Sequence, residues 1–175
     1  MITAEPVSLE EYLDAVYEPD CEWVDGKLSP RVEAAGAASF IKNRIRAFFT
    51  ELEDACHVRS LLDQRIRVEH TARNQRYRVA DVCVVKRPFT RQRVLTVAPL
   101  IAVEIARSGE YSGDLLGRLA DLARIGTQHI WAVEPETPRV YVLSRTGLHD
   151  ATGVKVPVPE LNLLVNFRPF FHELD

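Results

Sequence analysis

A chain of 175 residues, 46% hydrophobic and 27% charged, is long enough for one domain, spanning residues 1–175, with a core of its own. No run is apolar enough to cross a membrane, and the acidic start MITAEPVSLEEYL lacks the basic and apolar regions of a signal peptide, so a cytoplasmic protein is expected. A net charge of −3 argues against a protein that coats nucleic acid, and Cys21, Cys56 and Cys83 share no CxxC spacing, which makes them free thiols before a zinc site or a disulfide.

The charge is unevenly spread. Residues 1–38 hold nine acids against Lys27 and Arg31, while residues 59–93 hold ten Lys and Arg against three acids. A local basic face on an acidic chain suits a phosphate-bearing partner; it equally suits a solvated sheet edge guarded by charge.

In chain order, Ser8 and Glu11 form an S-x-x-E capping box, and Leu9, Tyr12, Leu13 and Val16 recur at helical spacing, which predicts a helix to about Val16. In CEWVDGKLS, Asp25-Gly26 predicts a hairpin, with Glu22 beside Val24 on one face of its first strand. A strand-edge glutamate there is ordinarily just solvated. Phe40, Ile41, Ile45, Phe48, Phe49 and Leu52 make the apolar stripe of a second, core-packing helix. Residues 58–70 alternate as a strand, and the basic stretch 71–78 suits a loop or strand end.

Two β-branched runs follow, VADVCVV and LIAVEIA, separated by a loop over residues 86–99. Each carries one acid, Asp81 and Glu104. A carboxylate in a buried strand is costly unless paired, hydrogen-bonded or bound to a metal, so two on neighbouring strands suggest a shared cation. A third helix starts near Asp114, with Leu115, Leu119, Leu122 and Ile125 on one face. QHIWAVE and RVYVLS are further strands, with a turn at Arg145–Gly147. The apolar segment from Leu161 to Phe171 is expected at the sheet edge or between subunits. The order of elements reads as one α/β domain with a mixed sheet.

EWVDGKL, VADVCVV, PLIAVEIA and DLLGRLADLARIGTQHIWAVEP, in that order and spacing, resemble the Uma-two family of putative restriction endonucleases in the PD-(D/E)XK superfamily. The resemblance implies a restriction-endonuclease-like fold, a mixed β-sheet flanked by helices, with a cation held by acids on its central strands. Carried over singly, Glu22, Asp81, Glu104 and Asp114 match the family's acids. Ala80 replaces a proline, and Arg107 a small polar residue. No lysine stands at Ala106, where the wider superfamily has one; Arg118 stands where this family often has lysine, and Ala38 and His129 replace a histidine and an acid.

The resemblance thus implies a Mg²⁺-dependent endonuclease, Mn²⁺ being an alternative ion, with DNA as substrate. Asp81, Glu104 and the carbonyl of Ile105 would hold the metal and Glu22 would assist. Arg118 would offset phosphate charge, although a guanidinium is a poor general base. An exposed Arg118 paired with Asp114 or Asp121 is the competing reading. Arg65, Arg67, Arg76, Arg78 and Arg107 would contact DNA phosphates, and a homodimer would let two sites cut two strands. The missing lysine and histidine support another outcome, a non-catalytic nucleic-acid-binding or interaction module on the same fold. A third is an enzyme acting on a small phosphate-bearing molecule.

Overall fold

A computed structural model describes residues 7–71, 74–110 and 112–172. The capping box forms as read: the Ser8 hydroxyl accepts from the Glu11 N–H at 3.2 Å, and the Glu11 carboxylate accepts from the Ser8 N–H at 2.7 Å. The helix it opens, α1 (Leu9–Asp14), is short and buries Tyr12. Next come the hairpin β1 (Cys21–Val24) and β2 (Lys27–Pro30), then α2 (Gly36–Glu51) and the strands β3 (Val58–His70) and β4 (Gln75–Lys86). Residues 75–78 are strand where a loop or strand end was expected. The loop that follows β4 contains a two-residue strand, β5 (Val94–Leu95), parallel to β3. Then follow β6 (Ile101–Ile105), α3 (Ser112–Arg124), β7 (His129–Glu134), β8 (Arg139–Ser144) and β9 (Gly147–Asp150).

The large sheet is mixed, in the order β2-β1-β4-β6-β7-β8-β9, with β3 on the other edge of β4. β4 therefore meets two strands along one edge. β1 pairs with it at Tyr77 and Arg76, and β6 at Val82, Cys83 and Val84. Between these two ladders lie residues 78–81, where the sheet forks.

The period of two splits the strand side chains between two cores. Val82, Val84, Ile101, Val103 and Trp131 face α2 through Ile41, Ile45 and Phe49. Cys83, Ala102, Ile130 and Ala132 pack with Leu119 and Leu122 of α3.

The apolar segment from Leu161 to Phe171 is not an edge of the large sheet. Its strand β11 (Leu163–Asn166) pairs with the preceding β10 (Lys155–Val158) in a separate two-stranded sheet that lies over the α2 side of the core. Phe167 meets Trp131 edge-on at 5.0 Å, and both Phe167 and Phe170 are buried. These rings are spent inside the chain, not on an open face. Among the described residues, no helix is long and apolar enough to cross a membrane.

Candidate functional site

The fork brings the two strand acids together. Continuing the β4–β6 register one step past Val82–Val103 sets Asp81 opposite Glu104, and both are fully buried. The ladder stops short of them because side chains take over its hydrogen bonds. Asp81 Oδ2 accepts the Ile105 N–H at 2.8 Å. On β4, the Val79 N–H goes to Glu22 Oε1 at 3.1 Å, and the Val79 carbonyl accepts from Arg31 Nη1 at 2.7 Å. A buried backbone group without a partner is costly, so where the strands separate these polar side chains stand in for the missing strand.

The cation between the acids is a guanidinium. Arg31 Nη2 bridges Asp81 Oδ2 at 3.2 Å and Glu104 Oε2 at 3.1 Å. Arg107 donates to Asp81 Oδ1 and lies 3.5 Å from the Ile105 carbonyl. Arg118 donates to Glu104 Oε2 at 2.8 Å and to Glu110 at 2.6 Å. All three arginines are buried. Burial works against the Arg31 charge, but Asp81 and Glu104 outweigh it and the group is held more firmly protonated than usual. Arg118 is raised in the same way, with Glu104 overcoming burial. For Asp81, burial is overcome by Arg31 and Arg107, and its carboxyl lies below the ordinary range. Glu104 is pushed up to about 7, because burial and the neighbouring Asp81 and Glu22 outweigh Arg31 and Arg118.

A second network continues from the fork toward α3. Glu22, 3% exposed, takes Arg78 Nη1 at 2.7 Å. Arg78 Nε reaches Asp121 at 2.7 Å, and Arg76 joins Asp121 at 3.0 Å to Asp25 at 2.6 Å.

Set against the sequence, Asp81, Glu104, Glu22 and Arg118 converge, and Arg118 is neither exposed nor paired with Asp114 or Asp121. Glu22 lies on a strand flanked on both sides, not on an edge. Asp114 is exposed and stands apart, and His129 pairs with Glu160 at 2.7 Å. Of the arginines expected to meet phosphate, Arg76, Arg78 and Arg107 are taken by acids of the same chain. Arg65 donates to the Tyr12 and Ala15 carbonyls, both at 2.9 Å, and so pins the end of α1. Arg67 remains exposed. Sequence reasoning missed Arg31 and Glu110; Asp121 was named there only as a partner for Arg118, and the structure pairs it with Arg76 and Arg78 instead.

This arrangement does not fit the divalent ion that the acids suggested. Three of the four carboxylate oxygens of Asp81 and Glu104 already accept from guanidinium groups, and the Ile105 carbonyl has Arg107 against it. A dication between Oδ2 and Oε2 would fall on Arg31 Nη2. At a separation near 3 Å and an effective dielectric of 20, that repulsion is roughly 10 kcal/mol. Among the described residues, no three His, Cys, Asp or Glu side chains are grouped to hold a metal. Glu104 Oε1 has no hydrogen-bond partner, but neither do the donors Nε of Arg31 and of Arg107 in the same cluster of charged groups, a mixed set unlike a cation shell.

The family model Uma2, described as "Putative restriction endonuclease", matches residues 9–173. No curated protein matches the chain. A solved structure described as a putative nuclease belonging to DUF820, from Anabaena variabilis ATCC 29413, superposes with a TM-score of 0.79 at 20% identity, over 97% of this chain and 99% of that one. At that identity the likeness shows the fold, and it is the nuclease-like fold the resemblance implied.

Proposed function

The chain belongs to the Uma2 family of putative restriction endonucleases, and from that membership we propose that it engages nucleic acid through the phosphate backbone while its acid site, locked by arginine, does not cleave. The observation that carries this reading is Arg31 bridging Asp81 and Glu104. Hydrolysis of a phosphodiester needs an activated water and a stabilised leaving oxygen. Here both strand acids are buried and committed to arginines.

The binding surface is supported by where charge is left over. A groove of about 460 Å³ beside the first half of β3 is lined by Arg46, Arg59, Ser60, Gln64, Phe89 and Arg91. Arg46 and Arg91 are exposed and make no ion pair among the described residues; Arg59 shares Glu53 at 2.9 Å. Guanidinium groups around a half-buried phenylalanine suit phosphates with a base stacked between them.

The test is anisotropy of labelled duplex DNA, single-stranded DNA and RNA across a salt series, with supercoiled plasmid incubated in Mg²⁺ and in Mn²⁺. Binding is expected to weaken with salt, and Arg46→Glu with Arg91→Glu is expected to flatten the slope by about one unit per lost phosphate contact. The plasmid is expected to stay intact. Metal-dependent nicking lost in Glu104→Ala would overturn the reading in favour of a second one, a metal-dependent endonuclease. The convergence of Asp81, Glu104 and Glu22 favours that second reading, and it requires Arg31 to leave the fork.

A further inference from the structure

We propose that Arg31 is the resident cation of this site: its guanidinium replaces a divalent ion between Asp81 and Glu104 and is the one residue that keeps such an ion out. This deepens the non-cleaving reading above and rests on it for its bearing on activity, but the metal chemistry is tested by itself.

Arg31 is built into this place from three directions. Its backbone N–H is held by the Asp20 carbonyl at 2.8 Å, which fixes the chain as it leaves the hairpin. Nη1 ties it to the Val79 carbonyl, and Nη2 reaches both acids. The guanidinium's partners lie on β4, at Val79 and Asp81, and on β6, at Glu104, so the group is positioned by the fork and not by a neighbour on its own element. It is 5% exposed, yet together with Arg107 it lines a groove of about 660 Å³ that also holds Lys42 and Asp63. An ion entering by that groove meets the guanidinium before it meets the acids.

The other arginines differ in kind. Arg107 takes Asp81 and the Ile105 carbonyl, and Arg118 takes Glu110 and shares Glu104 Oε2 with Arg31. Among the described residues, Arg31 is the cation that bridges the two carboxylates. Its removal takes one donor from Asp81 Oδ2, which keeps the Ile105 N–H, and one from Glu104 Oε2, which keeps Arg118, while Oε1 of Glu104 is already unpartnered. Hard carboxylate oxygens with water completing the shell are what Mn²⁺ and Mg²⁺ accept. Arg31→Lys keeps one positive charge and should keep the ion out. Arg31→Ser opens the gap. Arg31→Gln is neutral and retains a side-chain N–H for the Val79 carbonyl, so it guards against a variant that simply fails to fold.

The experiment measures Mn²⁺ binding by electron paramagnetic resonance and by the Mn²⁺-induced rise in Tm, without any nucleic acid. Wild type and Arg31→Lys are expected to show no saturable site. Arg31→Ser and Arg31→Gln are expected to melt lower without metal and to show a saturable Mn²⁺ site that wild type lacks, with a Mn²⁺-dependent rise in Tm. Adding Glu104→Gln to either is expected to abolish the gain. Saturable Mn²⁺ binding by wild type that Glu104→Gln removes would overturn the proposal. So would a folded Arg31→Gln that gains no affinity. Either result leaves the DNA-binding measurement standing, and a chain that refuses nucleic acid would leave the metal result standing.

Discussion

Glu22 offers the sharpest separation between a chemical and a structural role. Its carboxylate carries two bonds at the fork, one to the buried Val79 N–H at 3.1 Å and one to Arg78 at 2.7 Å. Glu22→Ala strands that N–H, which costs about 1–3 kcal/mol by itself. It also takes one of the two carboxylates that hold Arg78; breaking a buried ion pair from one side costs about 3–5 kcal/mol. Arg78 keeps Asp121, so the whole loss is set at about 3–5 kcal/mol, not at the sum. Glu22→Gln retains one acceptor oxygen and gives up the charge, and its cost is about 1–2 kcal/mol. The assay is urea unfolding, with Asp14→Ala as a control because that carboxylate is 78% exposed and its ion pair with Arg93 spans 3.5 Å. The control should fall within about 0.5 kcal/mol of wild type. A Glu22→Ala protein less than about 1 kcal/mol below wild type would refute the view that this side chain braces the fork, and would return Glu22 to the pool of groups free for chemistry.

Two further outcomes follow from burial. Glu104 has its folded pKa raised from 4.5 to about 7, so the folded state holds this proton more tightly than the unfolded chain; the resulting stabilisation is complete below 4.5 and is lost as pH rises through about 7. Glu104→Gln titrates nowhere, so its stability relative to wild type should improve by about 1–3 kcal/mol between roughly pH 5 and pH 8. Urea unfolding at both values checks it, and a difference that does not move with pH counts against the raised carboxyl. Phe167→Ala removes the ring against Trp131 and should cost about 3–5 kcal/mol. Its unfolding midpoint should not vary with protein concentration, as it would if this segment were a subunit interface.

The fold was legible wherever one local rule was enough. Ser8 with Glu11, Asp25-Gly26, and the alternation of VADVCVV and LIAVEIA each point to a single structure, and each forms it. The failures lie where a neighbour decides. Residues 75–78 left loop and strand end open because they are polar and basic; they are the first residues of β4, where Arg76 and Arg78 pair with Asp121 and Glu22. Val94–Leu95 is too short to show a period and is strand only because β3 lies beside it. The segment from Leu161 to Phe171 announces burial but not against what, and the rings of α2 and Trp131 supply the answer.

The candidate site divides along the same line. Asp81 and Glu104 could be found because an acid in a β-branched run is anomalous by itself. Arg31 could not, because an arginine after a hairpin is ordinary, and its partners lie 50 and 73 residues further along the chain. The charge pattern does not separate internal pairing from a free surface. Ten Lys and Arg between residues 59 and 93 look like a face offered to phosphate, but Arg76 and Arg78 answer acids of the N-terminal hairpin and of α3, and Arg65 closes α1. Asp14, Glu22 and Asp25 of the acid-rich start pair with Arg93, Arg78 and Arg76 of the base-rich middle. A charge excess along a sequence is open to a partner only where folding leaves it unmatched: Arg46 and Arg91 are exposed and make no ion pair among the described residues, while Arg76 and Arg78 of β4 are paired.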